Sequence, residues 1–181
     1  ELDIDLLLEE DNAPGVKPFR YGYRHEVNFN TANSGVWDLL DNGDAVWRLR
    51  IESENAYNLS LMFSNLNLPD GSMLHVYNEV GGEFFGGYSS LNNASHFATP
   101  LVEGDYCIIE YFEPSNADYN ANFEIVKVVH DYRNFYNMIS DDRDACGMNV
   151  VCSEADPYED QINSAAHLDM NGYICSGAMI N

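Results

Sequence analysis

The stretch Asp41-Asn42-Gly43-Asp44-Ala45-Val46-Trp47-Arg48-Leu49-Arg50-Ile51-Glu52 decides the fold class. Asn-Gly favours the positive-φ geometry of a tight hairpin turn. Beyond it Trp47, Leu49 and Ile51 face one way, and Arg48, Arg50 and Glu52 face the other. A period of two with an apolar and a charged side is the mark of a half-buried β-strand. The inward set predicts that Trp47 packs in a core, and Trp37, just ahead of Leu39-Leu40, is expected to do the same.

The same pattern runs outward in both directions. Leu59, Leu61 and Phe63 alternate with Ser60 and Ser64, and Pro69-Asp70-Gly71 makes a turn before a strand at Met73–Tyr77. Phe84-Phe85-Gly86-Gly87-Tyr88 reads as a strand with a glycine bulge or a close backbone approach. Tyr106–Phe112 is apolar on both faces, and Phe123, Ile125, Lys127 and Val129 form one side of a further strand through His130. Short strands with turns every eight to twelve residues, roughly, predict an all-β protein, an antiparallel β-sandwich or barrel. Before Phe19, Glu1–Pro18 reads as an acidic leader with one short helical turn around Leu6–Leu8. The chain begins at Glu1 without an initiator Met, and the apolar run Ile174–Ile180 is a strand with no partner after it. The expectation is a fragment cut at both ends.

Composition narrows the function. Eight Lys+Arg stand against thirty Asp+Glu in 181 residues, a formal net charge of -22. A phosphate binder needs a basic patch, so nucleic acid is excluded as a partner and an anionic membrane surface is disfavoured. Apolar residues make up 45% and aromatics 13%, too many for a disordered acidic chain. No apolar run is long enough to span a membrane.

Side-chain chemistry is sparse. Cys146 and Cys152 are separated by five intervening residues, wider than typical zinc-ligand spacing, and no His pair stands at i, i+4. Asp38–Asp44 looks like a calcium loop until Leu40 is found where an oxygen ligand is needed. Neither a metal nor a cofactor is predicted. Ser176 lies in an apolar strand without a Gly-x-Ser-x-Gly elbow. His167 reads as a strand or turn histidine, and His25, His75, His96 and His130 fall singly. No complete catalytic triad is present. Asn58-Leu59-Ser60 and Asn93-Ala94-Ser95 are glycosylation sequons. Cys107, within a core strand, suits a free buried thiol. Three cysteines remain near the C-terminus, an odd number that implies disulfide partners elsewhere.

Cys146-Gly-Met-Asn-Val-Val-Cys152-Ser-Glu-Ala-Asp156-Pro, then Asp160-Gln-Ile162, then Tyr173-Ile-Cys175-Ser-Gly177-Ala-Met-Ile-Asn181 resembles the start of the mature lysyl endopeptidase-type serine peptidases, secreted bacterial enzymes with the chymotrypsin double-barrel fold. Tyr21-Gly22-Tyr23, Ser34-Gly35-Val36-Trp37, Val46–Arg50 and Leu68-Pro69-Asp70-Gly71 resemble the β-rich pro-region of their precursors. The resemblance implies an acidic leader at 1–19, a β-sandwich pro-domain at 20–135, a linker at 136–145, and at 146–181 the first strands of an incomplete chymotrypsin-like barrel. It implies that Cys146, Cys152 and Cys175 have disulfide partners downstream, and that the catalytic His, Asp and Ser follow Asn181. It also makes Arg143, in the polar linker, a candidate processing point. The implied partners are the protein's own catalytic domain and, for the full-length enzyme, peptide or protein substrates. The alternative is a non-enzymatic β-sandwich module that binds carbohydrate or protein through its aromatics.

Overall fold

A computed structural model describes residues 2–15, 18–80, 82, 84–135, 137 and 153–179. The fold is mostly β, and every strand pairing is antiparallel. One five-stranded sheet has the order β3 (Val36–Leu39), β4 (Ala45–Glu52), β10 (Tyr106–Glu113), β6 (Met73–Tyr77) and β7 (Phe84–Tyr88). A second runs β2 (Gly22–Phe29), β11 (Asn122–Asp131), β5 (Asn58–Asn67) and β8 (Ala94–Ala98), with β9 (Val102–Glu103) also on β5. A third joins β1 (Phe19–Arg20), β13 (Tyr173–Ala178) and β12 (Ala165–Asp169).

The deciding stretch behaves as its alternation requires. The loop after β3 closes through the Gly43 N–H to the Leu40 carbonyl, 2.9 Å, with Gly43 at φ +87°. In β4, Trp47 and Ile51 are buried and Leu49 half-buried, while Arg48, Arg50 and Glu52 are exposed. One apolar cluster draws on both five-stranded sheets: Trp47, Val76, Ile109 and Tyr111 from the first meet Leu61, Phe63, Phe123 and Ile125 from the second. The rings of Trp47, Phe63 and Tyr111 all pack edge-on against Phe123 at 5.6–5.9 Å. Each fully buried side chain of this size contributes about 1.5–3 kcal/mol. Cys107 lies in this cluster, fully buried.

Four expectations are corrected. First, the leader forms a nine-residue helix, α1 (Ile4–Asn12), capped by Asp3, whose side chain accepts from the Leu6 N–H at 3.0 Å. Its last turn holds acids and no base, which the helix dipole disfavours. Cations from elsewhere compensate: Arg20 donates to the Leu7 carbonyl, Glu10 and Asp11, and Arg133 to Asp11. Second, Trp37 stands opposite Trp47 and packs edge-on against Tyr111, yet is 41% exposed because β3 is a sheet edge. Third, a bulge between Ile125 and Lys127 shifts the phase of β11. Val128 therefore joins Phe123 and Ile125 in the main cluster, and Val129 turns to a second cluster with Tyr21, Leu101 and Phe135. Fourth, the strand of the C-terminal apolar run has its partners before it, β12 and β1.

No helix among the described residues is long and apolar enough to cross a membrane. Gly86, at φ +147°, lies beside a register shift between β6 and β7, and a Cβ there would meet the His75 Cα at 2.8 Å. Close backbone approach is thus why that position is glycine.

Candidate functional site

Two places concentrate specific interactions. The first is where the chain after α1 grips the β12–β13 hairpin. Phe19 and Arg20 pair with Ile174 and Tyr173, which adds β1 to the free edge of β13. The N–H groups of Tyr21 and Gly22 both donate to the Gly172 carbonyl, at 2.9 and 3.1 Å. The approach is so close that a Cβ on Gly22 would meet Val129 Cγ1 at 2.7 Å, and one on Gly172 would meet the Gly22 carbonyl oxygen at 2.8 Å. Two glycines facing one another make this contact possible. The Arg24 guanidinium donates to the carbonyls of Met170 and Asn171, and lies 4.9 Å from the centre of the Tyr173 ring. Tyr21, fully buried, donates its hydroxyl to Asp169 Oδ1 at 2.8 Å and stacks on Phe135 at 4.9 Å. Burial pushes the Tyr21 hydroxyl pKa up, and the Asp169 carboxylate adds to the effect. Ile174 packs against the cluster of Tyr21, Leu101, Val129 and Phe135.

Beside this grip, Asp11 ties α1 to Arg20 of β1 and to Tyr132 and Arg133, which follow β11. Its two oxygens accept from Arg20 Nε at 2.8 Å, Tyr132 Oη at 2.7 Å and Arg133 Nη2 at 2.7 Å. Burial alone raises its carboxyl pKa, but the bonds from Arg133 and Tyr132 and the charges of Arg20 and Arg133 outweigh it. The net result lies below the usual carboxylate value.

The second place is a pocket of about 620 Å³ lined by Leu2, Ile4, Tyr23, His25, Ser53, Glu54, Asn55 and His130. Ser53 Oγ and His130 Nδ1 are 2.7 Å apart, and His130 Nε2 is buried with no hydrogen-bond partner among the described residues. The His25 ring faces it at 6.2 Å. The serine–imidazole contact is not that of a hydrolytic triad, because Ser53 meets Nδ1, the nitrogen that a triad gives to its carboxylate. Burial lowers both histidine pKa values, and His25 lowers that of His130 further, against a smaller upward pull from Asp131. Sequence reading took these histidines one at a time. No local signal joins them: His25 stands opposite Val128 and His130 opposite Tyr23, diagonal positions on one face that only the pairing of β2 with β11 creates.

Of the residues singled out by sequence, Arg143, Cys146 and Cys152 lie outside the described residues. Cys175 is in β13, exposed and unpaired among the described residues, opposite Leu168. Ser176 is a strand residue, as read, and His167 lies in β12 opposite it. The buried Cys107 thiol is pushed up to about 12 by desolvation. Neither sequon asparagine is free. Asn58 is buried and donates to Asp131 at 2.6 Å, and Asn93 bonds Leu68 through both its amide nitrogen and oxygen. Among the described residues no group of three or more His, Cys, Asp or Glu is arranged to hold a metal. No protein-family model matches this sequence.

Proposed function

We propose that the chain is the N-terminal part of the precursor of a secreted serine endopeptidase resembling the lysyl endopeptidase type. In this reading the two five-stranded sheets are the halves of a β-sandwich pro-domain, and residues 146–181 begin a chymotrypsin-like barrel. Peptide cleavage by acyl transfer would belong to the full-length protein, whose catalytic residues follow Asn181. The segment described here acts on the barrel and not on the substrate.

The observation that carries the reading is the addition of β1 to β13, with Tyr21, Gly22 and Arg24 holding the turn between β12 and β13. A two-stranded hairpin is marginal alone in water, and barrels of non-local contacts fold slowly. A pro-domain that supplies a third strand and pins the turn reduces the entropy cost of closing that hairpin. Its physical role is that of a folding template for the first strands of the barrel.

Secretion of the full-length precursor tests this, with fluorophosphonate labelling and N-terminal sequencing of the processed form. The expected product carries a labelled serine and begins just after Arg143, and Tyr21→Ala lowers its yield several-fold. A processed protein that never reacts with the probe defeats the peptidase reading. A mature N-terminus far from 136–146 removes Arg143 as the processing point, and an unchanged yield with Tyr21→Ala removes the template role.

One observation favours a second reading, a non-enzymatic carbohydrate- or protein-binding module. Phe84 is 61% exposed at the edge of the first sheet, stacked on Tyr77 at 5.5 Å and close to the His75 ring at 4.7 Å. Flat exposed rings suit sugar faces. Retardation in polysaccharide gels that disappears in Phe84→Ala, without any effect on peptidase maturation, would establish this alternative.

A further inference from the structure

His130 is 2% exposed on β11, the central neighbour of β2 and β5. Its Nδ1 is satisfied by Ser53 Oγ, but Nε2 is buried and has no hydrogen-bond partner among the described residues. The ring of His25, on β2, lies edge-on to the His130 ring, 6.2 Å between ring centres and at 71°. We propose that His25 and His130 form an acid-sensitive latch between β2 and β11, whose opening releases the β12–β13 hairpin.

Asp131 is the carboxylate whose charge favours the His130 imidazolium, and burial together with His25 outweighs it. Tyr23 packs edge-on against His25 from the same strand at 4.9 Å, and Leu59 of β5 stands opposite His130 in register. Leu2 and Ile4 close the pocket from the start of α1, with Asp3 and Asp5 bordering the adjoining hollow. Ser53, Glu54 and Asn55 line it from the loop after β4. The nearest carboxylate along β11, Asp131, is fully buried and already accepts from Asn58, Arg133 and Phe135. Among the described residues neither Glu54 nor Asp131 bonds an imidazole. Two like charges so placed repel each other in a desolvated setting.

The latch is mechanically joined to the hairpin. Val129, next to His130, belongs to the cluster on which Ile174 packs, and Arg24, next to His25, holds the carbonyls of Met170 and Asn171. Parting β2 from β11 therefore pulls both contacts away from the turn. The sign follows from burial. Both imidazoles bind a proton less readily folded than unfolded, so the stabilisation is complete above about pH 6.5 and declines as pH falls below it. The latch does not depend on the peptidase reading, and its test uses no enzymatic activity.

Hydrogen exchange of the chain, corrected for intrinsic rates, is compared at about pH 7 and about pH 5.5. Between these pH values each histidine can favour opening by at most about eightfold and the two together by at most about seventyfold, so exchange several-fold faster, within that ceiling, is expected in peptides from β2, β11 and β13. Peptides from β4, β10 and β6 should not change. His25→Gln, at a half-buried position, should keep protection at pH 7 and cut the pH response by half or more. His130→Gln should do the same, and if it fails to fold, His25→Gln carries the test alone. Equal protection at the two pH values, an unaltered response in His25→Gln, or uniform loss in every peptide through general carboxylate titration would each overturn the proposal.

Discussion

Replacing Tyr21 by Phe removes one oxygen and leaves the ring where it is. The hydroxyl donates to Asp169 Oδ1 at 2.8 Å, while the ring stacks on Phe135 at 4.9 Å and is fully buried. A hydrogen bond to a charged acceptor contributes about 1.5–3 kcal/mol. Asp169 is exposed and retains a bond from the Asn171 N–H at 2.8 Å, so water replaces the lost donor and the cost falls to about 1–1.5 kcal/mol. That is roughly a five- to tenfold change in an equilibrium constant. The loss should be confined to the hairpin, because the main cluster of Trp47, Phe63 and Ile109 does not include Tyr21. Tyr21→Ala also deletes the ring and should cost about 3–5 kcal/mol, enough to loosen the second sheet as well. The assay is hydrogen exchange of peptides covering 165–178, against peptides from β4 and β10. If Tyr21→Phe leaves the hairpin unchanged, or opens β4 and β10 to the same degree, the hydroxyl does not hold the hairpin and the reasoning fails.

Other outcomes follow from individual contacts. Asp11→Ala should destabilise the protein by about 1–3 kcal/mol in low salt, because Arg20, Tyr132 and Arg133 lose a shared acceptor. Urea titrations at two salt concentrations check this, and the contribution of Asp11 should be complete above about pH 4 and decline as pH falls below it towards the lowered folded pKa. Gly22→Ala places a methyl 2.7 Å from Val129 Cγ1 and should cost about 1–3 kcal/mol by overpacking, read as a drop in thermal midpoint. With a thiol reagent at neutral pH, Cys175 should label quickly in the folded protein. Cys107, buried and with its thiol pushed up to about 12, should label only on unfolding, as peptide mapping would reveal.

Much of the fold was legible because period-two patterning is a local property. The alternation of Trp47, Leu49 and Ile51, the Asn42-Gly43 turn and the glycines after Phe85 each announce their structure within a few residues. Sequence reading went astray where a neighbour overrules local pattern. The phase of β11 slips at a bulge that no residue of Ile125–Lys127 announces. Trp37 has the residue type of a core position but occupies a sheet edge. The His25–His130 pair was invisible because 105 positions separate its members in the chain, and only the register of β2 on β11 makes them diagonal neighbours.

The sequence by itself determined an acidic, antiparallel, mostly β chain with Trp47 and Cys107 inside, because burial of one face of each strand is written in its alternation. Tertiary structure alone decided which strand completes β13, which cations close the acidic end of α1, and what lies opposite the buried face of His130. These are contacts between segments more than a hundred residues apart or on different elements. Their free energy depends on geometry that exists only once the sheets have formed. The gripping residues Tyr21, Gly22 and Arg24 look unexceptional in the chain and acquire their role from the turn at Asp169–Gly172 that folding brings against them.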